Sequence, residues 1–448
     1  MMKTAFPRPL ALAAIAMLAT ACGAGNAAEA QPTATPCPAA VAAIASCLGG
    51  RDSAGAYYLI AMPGTWNQAL VLHAHGGPSL DAPAPERAAE DLTRWAVMVK
   101  AGYAWAGSTF HQGGVAVRAA AQDTERLRGI FRQHVAVPKR TILHGQSWGA
   151  NVAAKAAEMF AAQTVGTQPY DAVLLTSGVV AGGTRSYDFR LDLRAVYQYL
   201  CDNHPRPDEK AYPLSLGLPA GVTLRAADLR SRTSECLGLD KPAVQRTEAQ
   251  RQKVRTLVDV VRIPESEIQA HLNWGTFHFQ DISSKRTGGA SPFGNIGVQY
   301  AGSGDDAALN AGVPRFAADP QAVARFAEDT DLAGKIPVPV LTVKAVDDPT
   351  AFVELDSHFK EVMAAGGSGD RLVQTFADFD THSYLSDATY VTLMDALMKW
   401  VDDGVKPTPA GIAQQCPAFA TRYGAGCRFL PGYVPAALET RVPARKRP

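Results

Sequence analysis

Ser147 stands in the pentapeptide Gly145-Gln146-Ser147-Trp148-Gly149. Residues 141–144, Thr-Ile-Leu-His, read as the end of a buried strand, and residues 150–160 as an Ala-rich helix. A serine between strand and helix, with glycine on both sides, sits on a sharp strained turn that projects its hydroxyl out of the core. A serine hydroxyl is a weak nucleophile at neutral pH. It needs a base within hydrogen-bond reach, and the base needs a carboxylate to orient it and balance its developing charge. The chemistry implied is acyl transfer through a covalent intermediate. An ordinary Gly/Ser turn satisfies the same pentapeptide, so the partners decide.

Acid and base should follow the serine, in that order, at later strand ends. Residues 338–343 read as a buried strand running into Lys344-Ala345-Val346-Asp347-Asp348-Pro349. Asp348, next to Pro349, is the candidate acid and Asp347 the alternative. A strand at 371–376 is followed by Ala377-Asp378-Phe379-Asp380-Thr381-His382-Ser383, which makes His382 the candidate base. The other histidines are less well placed. His144 precedes the turn in its own strand, His73 and His75 belong to an earlier strand end, and His358 follows the acid too closely. That earlier strand, 68–74, ends in His75-Gly76-Gly77-Pro78. Glycines there let the N–H groups of Gly76 and Gly77 approach a developing negative charge, with the Trp148 N–H as second donor. This chemistry needs no cofactor and no metal, and the chain has no Cys-x-x-Cys motif.

These side chains need a scaffold. Strand-like runs fall at 57–62, 68–74, 103–109, 141–143 and 171–176, and helical patterns at 87–100, 115–134 and 152–160. The second helix carries Leu127, Ile130 and Phe131 on one face. Such alternation predicts an α/β fold, a mostly parallel sheet with helices on both faces. It fills residues 31–182 and stops there. Residues 183–335 are helical and irregular, with amphipathic patterns at 188–202 and 243–261 and a Gly/Ser-rich stretch at 283–305. This block reads as a large helical cap inserted over the catalytic face. Its aromatics Trp274, Phe277, Phe279 and Tyr300 either line a pocket or form the cap's own core. The sheet resumes over 336–405, ending in a helix at 387–401. The tail, 406–448, is expected to pack outside, its basic run Arg445-Lys446-Arg447 solvated. No internal repeat is present.

Among 448 residues, 47% are hydrophobic and the net charge is +1, so no basic field points to nucleic acid. Residues 1–30 read as an export signal, with Lys3 and Arg8 before an apolar run at 10–21 too short to span a bilayer. Two cleavage readings stand: a lipobox at Leu18-Ala19-Thr20-Ala21-Cys22, and a small-x-small site, Ala28-Glu29-Ala30, before Gln31. A lipid anchor at Cys22 would be the only membrane link. Without Cys22 six cysteines remain of seven, suited to the periplasm or the exterior. Proximity pairs them as Cys37–Cys47, Cys201–Cys236 and Cys416–Cys427.

Together, His75-Gly76-Gly77-Pro78, the Ser147 pentapeptide, Asp348-Pro349 and His382 resemble the α/β-hydrolase superfamily, over about residues 55–182 and 336–405. The stretch Gly102-Tyr103-Ala104-Trp105-Ala106-Gly107-Ser108 looks like the Gly-Tyr strand of exported esterase- and peptidase-like members. The resemblance implies a Ser147–Asp348–His382 triad. Many relatives show His-Gly where this chain has Lys344-Ala345, which leaves the choice between Asp347 and Asp348 open. The expected function is an exported serine hydrolase acting on a small or oligomeric carboxylic ester. The alternative is a serine aminopeptidase similar to proline iminopeptidases. It would need a cap carboxylate, such as Glu235 or Glu265, to hold a free amine. A third reading is a non-catalytic surface binding protein on the same fold.

Overall fold

The computed structural model describes residues 1–2, 29–161 and 168–446. The export-signal and lipobox readings fall almost wholly on residues outside this set.

Nine strands form one sheet: β1 (Thr33–Thr35), β2 (Ala45–Arg51), β3 (Tyr57–Pro63), β4 (Ala69–Ala74), β5 (Ala104–Ser108), β6 (Arg140–Gln146), β7 (Ala172–Thr176), β8 (Val340–Ala345) and β9 (Leu372–Ala377). Their order is β1-β2-β3-β5-β4-β6-β7-β8-β9. The pairs from β1 to β5 are antiparallel, and those from β5 through β9 are parallel. This is the α/β-hydrolase fold. Chain order reverses at β4, which lies between β5 and β6. The carboxyl ends of strands at such a reversal leave a crevice that loops can line.

Both faces are buried. Along β4, Leu70 and Leu72 pack into one core with Phe131 and Val152. Val71, between them, packs into the other with Trp95 and Leu397. Side chains of a strand alternate between faces, and helices cover both, so the parallel strands are apolar throughout. The helix Val117–His134 buries Leu127, Ile130 and Phe131, the face its periodicity indicates.

Several elements differ from the sequence reading. β1 and β2 lie outside the strand-like runs of the sequence. Ala-Ser-Cys-Leu-Gly-Gly-Arg has little strand propensity, and β2 is held by its pairing with β3 and by the Cys37–Cys47 disulfide. The helix expected at 87–100 is two helices, Glu86–Arg94 and Ala96–Lys100, broken at Trp95. Burial of the Trp95 ring between the His144 and Tyr390 rings accompanies that break. The helix expected at 243–261 starts at Glu248, where Thr247 and Gln250 form a reciprocal capping box.

The other two disulfides are Cys201–Cys236 and Cys416–Cys427. The tail helix Pro409–Tyr423 packs on Asp387–Asp403, and the following residues hydrogen-bond along β9. The basic run is not wholly solvated. Arg445 is buried and paired with Asp188 at 3.4 Å and Asp192 at 2.7 Å. Two carboxylates on one helix turn provide the partner that a buried guanidinium requires; composition alone gives no hint of it. Among the described residues, no helix is long and apolar enough to cross a membrane.

Candidate active site

β6 ends at Gln146, and the helix Trp148–Ala156 begins one residue later. Ser147 alone makes the turn, at φ 56° and ψ −123°. A non-glycine residue there is strained by about 1–3 kcal/mol and persists only where its surroundings impose it. Here the Ser147 N–H donates to Thr176 O, and its carbonyl accepts from Ala150 and Val179, all at 3.0 Å. Gly149 allows the close approach. A Cβ at that position would overlap the carbonyl oxygens of Ala74 and His75, so only glycine lets the helix start against the end of β4.

His382 reaches this serine from the loop after β9. Its Nε2 lies 2.8 Å from Ser147 Oγ, and its Nδ1 lies 2.8 Å from Asp348 Oδ2. Asp348 Oδ1 accepts from the N–H groups of Thr350 at 2.9 Å and Ala351 at 2.8 Å. The carboxylate is thereby fixed as an acceptor, and the imidazole as an Nδ1–H tautomer with Nε2 free to accept. Asp347, the alternative acid, is exposed; its N–H bonds Phe379 O. The Lys344-Ala345 departure has a structural counterpart. Lys344 is buried, pairs with Asp356 at 2.5 Å and donates to Gly178 O, bracing the strand end before the Asp348 loop. Burial pushes the Asp356 carboxyl up, with Lys344 opposing.

Gly76, Gly77 and Trp148 line the same cleft, of about 290 Å³, as Ser147 and His382. The carbonyl of Gly76 accepts from Arg87 Nη2. A trans peptide points its C=O and following N–H in opposite directions, so this bond turns the Gly77 N–H away from Arg87. Gly77 has φ +71°, a value glycine adopts freely. Trp148 is the first helical residue, and its N–H has no intrahelical acceptor.

Three contributors had no signal in the sequence. Gln146 donates to Ser383 Oγ at 3.0 Å and lies against Gly76, joining the serine turn, the His382 loop and the end of β4. It occupies a variable position of the pentapeptide, where residue type predicts nothing. His278, on the helix Ile268–Asp281, stacks on Trp274 and hydrogen-bonds Pro78 O at 2.8 Å. Arg190, on Asp188–Cys201, lines the cleft with Trp274. Of the four aromatics singled out between β7 and β8, Trp274 reaches the cleft. Phe279 stacks on Phe293, Tyr300 bonds Asp192, and Phe277 lines no part of the cleft.

His73, His75 and His144 are buried. His73 and His144 share a 3.0 Å Nδ1–Nδ1 contact beneath the sheet, and His75 stacks on Phe110. Burial pushes His144 down to about 3 and His75 down to about 4. Both therefore stay neutral in the folded chain while taking up protons in the unfolded chain below about 6.5. Stability is full above that pH and falls as pH drops from about 6.5 towards 4, by about 1.4 kcal/mol per pH unit for each group. The melting temperature is expected to be level above pH 7 and to fall steeply between pH 6 and 4. A level profile down to pH 4 would contradict this.

No protein-family model matches the chain, and no curated protein matches its sequence. Solved structures with a general likeness include feruloyl esterase B from Aspergillus oryzae, at 12% identity and TM-score 0.47 over 85% of this chain and 88% of that one. An esterase from Aspergillus oryzae shows 14% identity and TM-score 0.44, covering 81% of each chain. The rice cell wall degrading esterase LipA from Xanthomonas oryzae shows 12% identity and TM-score 0.39, over 84% of this chain and 97% of that one. The sheet order and the serine turn at the end of β6 define the class here: an α/β-hydrolase fold.

Proposed function

We propose that this chain is an exported serine hydrolase that cleaves carboxylic esters through an acyl-enzyme. The observation that carries the reading is the unbroken hydrogen-bonded series Ser147 Oγ, His382 Nε2, His382 Nδ1, Asp348 Oδ2, starting on a strained serine. As Oγ attacks the ester carbonyl carbon, Nε2 takes its proton, and Asp348 stabilises the resulting imidazolium without itself being protonated. The oxyanion receives the N–H groups of Trp148 and Gly77, with Gly76 as the neighbouring alternative. The C–O bond to the alcohol breaks as Nε2 returns the proton to the leaving oxygen. Water, deprotonated by the same nitrogen, then releases the acid and frees Ser147.

Neither cap carboxylate named for the aminopeptidase alternative reaches the cleft. Glu235 pairs with Arg206 and Glu265 with Arg246, and neither lines the cleft. The cleft lining contains Arg87, Arg94 and Arg190 and no Asp or Glu, a poor setting for a free amine. A fluorophosphonate probe and paired substrates test the proposal. Labelling at Ser147, with p-nitrophenyl esters turned over faster than Pro- or Ala-p-nitroanilide, is expected. Dominant anilide turnover would overturn the ester assignment, and unlabelled but folded protein would favour a binding role.

Three disulfides fit an oxidising compartment. Glu29 accepts from the Ser53 N–H at 2.9 Å and pairs with Arg126 at 3.5 Å. Cleavage before Gln31 would remove these contacts, which favours processing upstream, as at Cys22. Intact mass of the exported protein checks this; a first residue of Gln31 would refute it.

A further inference from the structure

Arg190 belongs to the helix Asp188–Cys201 and is 5% exposed. Its guanidinium lies 4.3 Å from the ring centre of Trp274, 4.5 Å from that of Phe189 and 5.3 Å from that of Tyr187. Nε is buried without a hydrogen-bond partner. Among the described residues, no carboxylate pairs with this guanidinium and no carbonyl accepts from it. The two acids flanking it on its helix, Asp188 and Asp192, pair with Arg445. Glu267 is near enough to be felt but forms no ion pair with it.

The other buried arginines of this region differ. Arg194, one turn along, donates to the carbonyls of Leu214, Gly217 and Gly275. Arg445 holds two carboxylates. A buried cation with no counter-charge is costly. The environment already disfavours the charge on Arg190, pushing the group down to about 9 through burial. What it lacks is an anion, and the open volume it reaches is the Ser147 cleft.

We infer that Arg190 is a specificity-determining residue that binds a carboxylate on the substrate, so that the preferred ester carries a free carboxylate in addition to the scissile bond. This rests on the hydrolase reading and narrows its substrate class. The chemistry suits a carboxylate in particular. The guanidinium is a planar fork that matches two carboxylate oxygens, and aromatic faces hold it ready, so little freedom is lost on binding. Arg94, exposed and without an ion pair among the described residues, adds positive potential at the same cleft. Arg87 is committed to Asp91 and to the Gly76 carbonyl.

Two esters that differ by one methyl cap test the inference: mono-p-nitrophenyl glutarate, and the same ester with its free carboxylate methylated. The wild-type chain is expected to favour the charged ester by about tenfold or more in kcat/KM, mostly through KM. Arg190→Met is expected to bring that ratio to about one or below, and Arg190→Lys to retain part of it. Equal or reversed preference in the wild type would overturn the inference, as would a preference surviving in Arg190→Met that folds and is labelled by fluorophosphonate. Should Arg190→Met not fold, Arg190→Lys and Arg190→Gln decide by the same ratio: a preference undiminished in either would overturn the inference. Should no ester be turned over and no probe bind, the hydrolase reading fails by itself. Calorimetric titration of Ser147→Ala, with and without Arg190→Met, against monomethyl and dimethyl glutarate then decides on Arg190: tighter binding of the charged ligand that is lost with Arg190→Met supports it, and no difference, or one that survives Arg190→Met, overturns it.

Discussion

Replacing Ser147 by alanine is expected to lower kcat/KM for a p-nitrophenyl ester by about a millionfold, because the nucleophile and its base act as a unit. For the same reason His382→Ala should cost nearly as much, and the double replacement little more than either alone. The loss should not come from unfolding. Alanine at 147 keeps the same backbone demand at φ 56°, and the backbone hydrogen bonds to Thr176, Ala150 and Val179 remain. Ser147→Gly separates the two effects. It removes the penalty of a Cβ at positive φ and is expected to stabilise the chain by up to about 1 kcal/mol while remaining inactive. Kinetics and thermal melts on the four variants check this. Ser147→Ala retaining a tenth of the activity would remove the serine from the chemistry.

The second large effect is on the fold. Gly149→Ala adds one methyl group where the carbonyls of Ala74 and His75 already stand. No flexible side chain is in the way that could move aside; the obstacle is backbone. Strand β4 and the helix after Ser147 must part, and the cost is expected to reach about 3 kcal/mol or more. The same displacement separates the Trp148 and Gly77 N–H groups, so activity should fall further than the loss of folded protein explains. Denaturant titration measures the first effect, and kcat on the folded fraction the second. A variant with unchanged midpoint would show that the two elements have slack between them.

How much of this was legible beforehand varies by element. The parallel strands were plain because their apolar runs are buried on both faces, which leaves few other readings of segments such as Ala-Leu-Val-Leu-His-Ala. β2 was not, since its residues are poor strand formers held by a neighbour and a disulfide. The Trp95 break lay inside a continuous helical pattern, and nothing in local propensity marks it. Arg445 looked like part of a solvated basic tail, because the acids that bury it are some 250 residues away in sequence.

At the site the contrast is similar. Ser147, Asp348 and His382 could be picked out by type, by neighbouring glycine and proline, and by their order after strands. Those signals are local, and turn chemistry is written in local sequence. The sequence by itself thus determined the parallel strands, their alternation with helices and the candidate residues for the chemistry. Tertiary structure alone decided between Asp347 and Asp348 as the neighbour of His382, tied Gln146 to Ser383, and left Arg190 buried without an anion. Each of these depends on which distant side chains share a volume from which water is excluded. Inside it a charge must find a partner or wait for one, and no spacing along the chain records that.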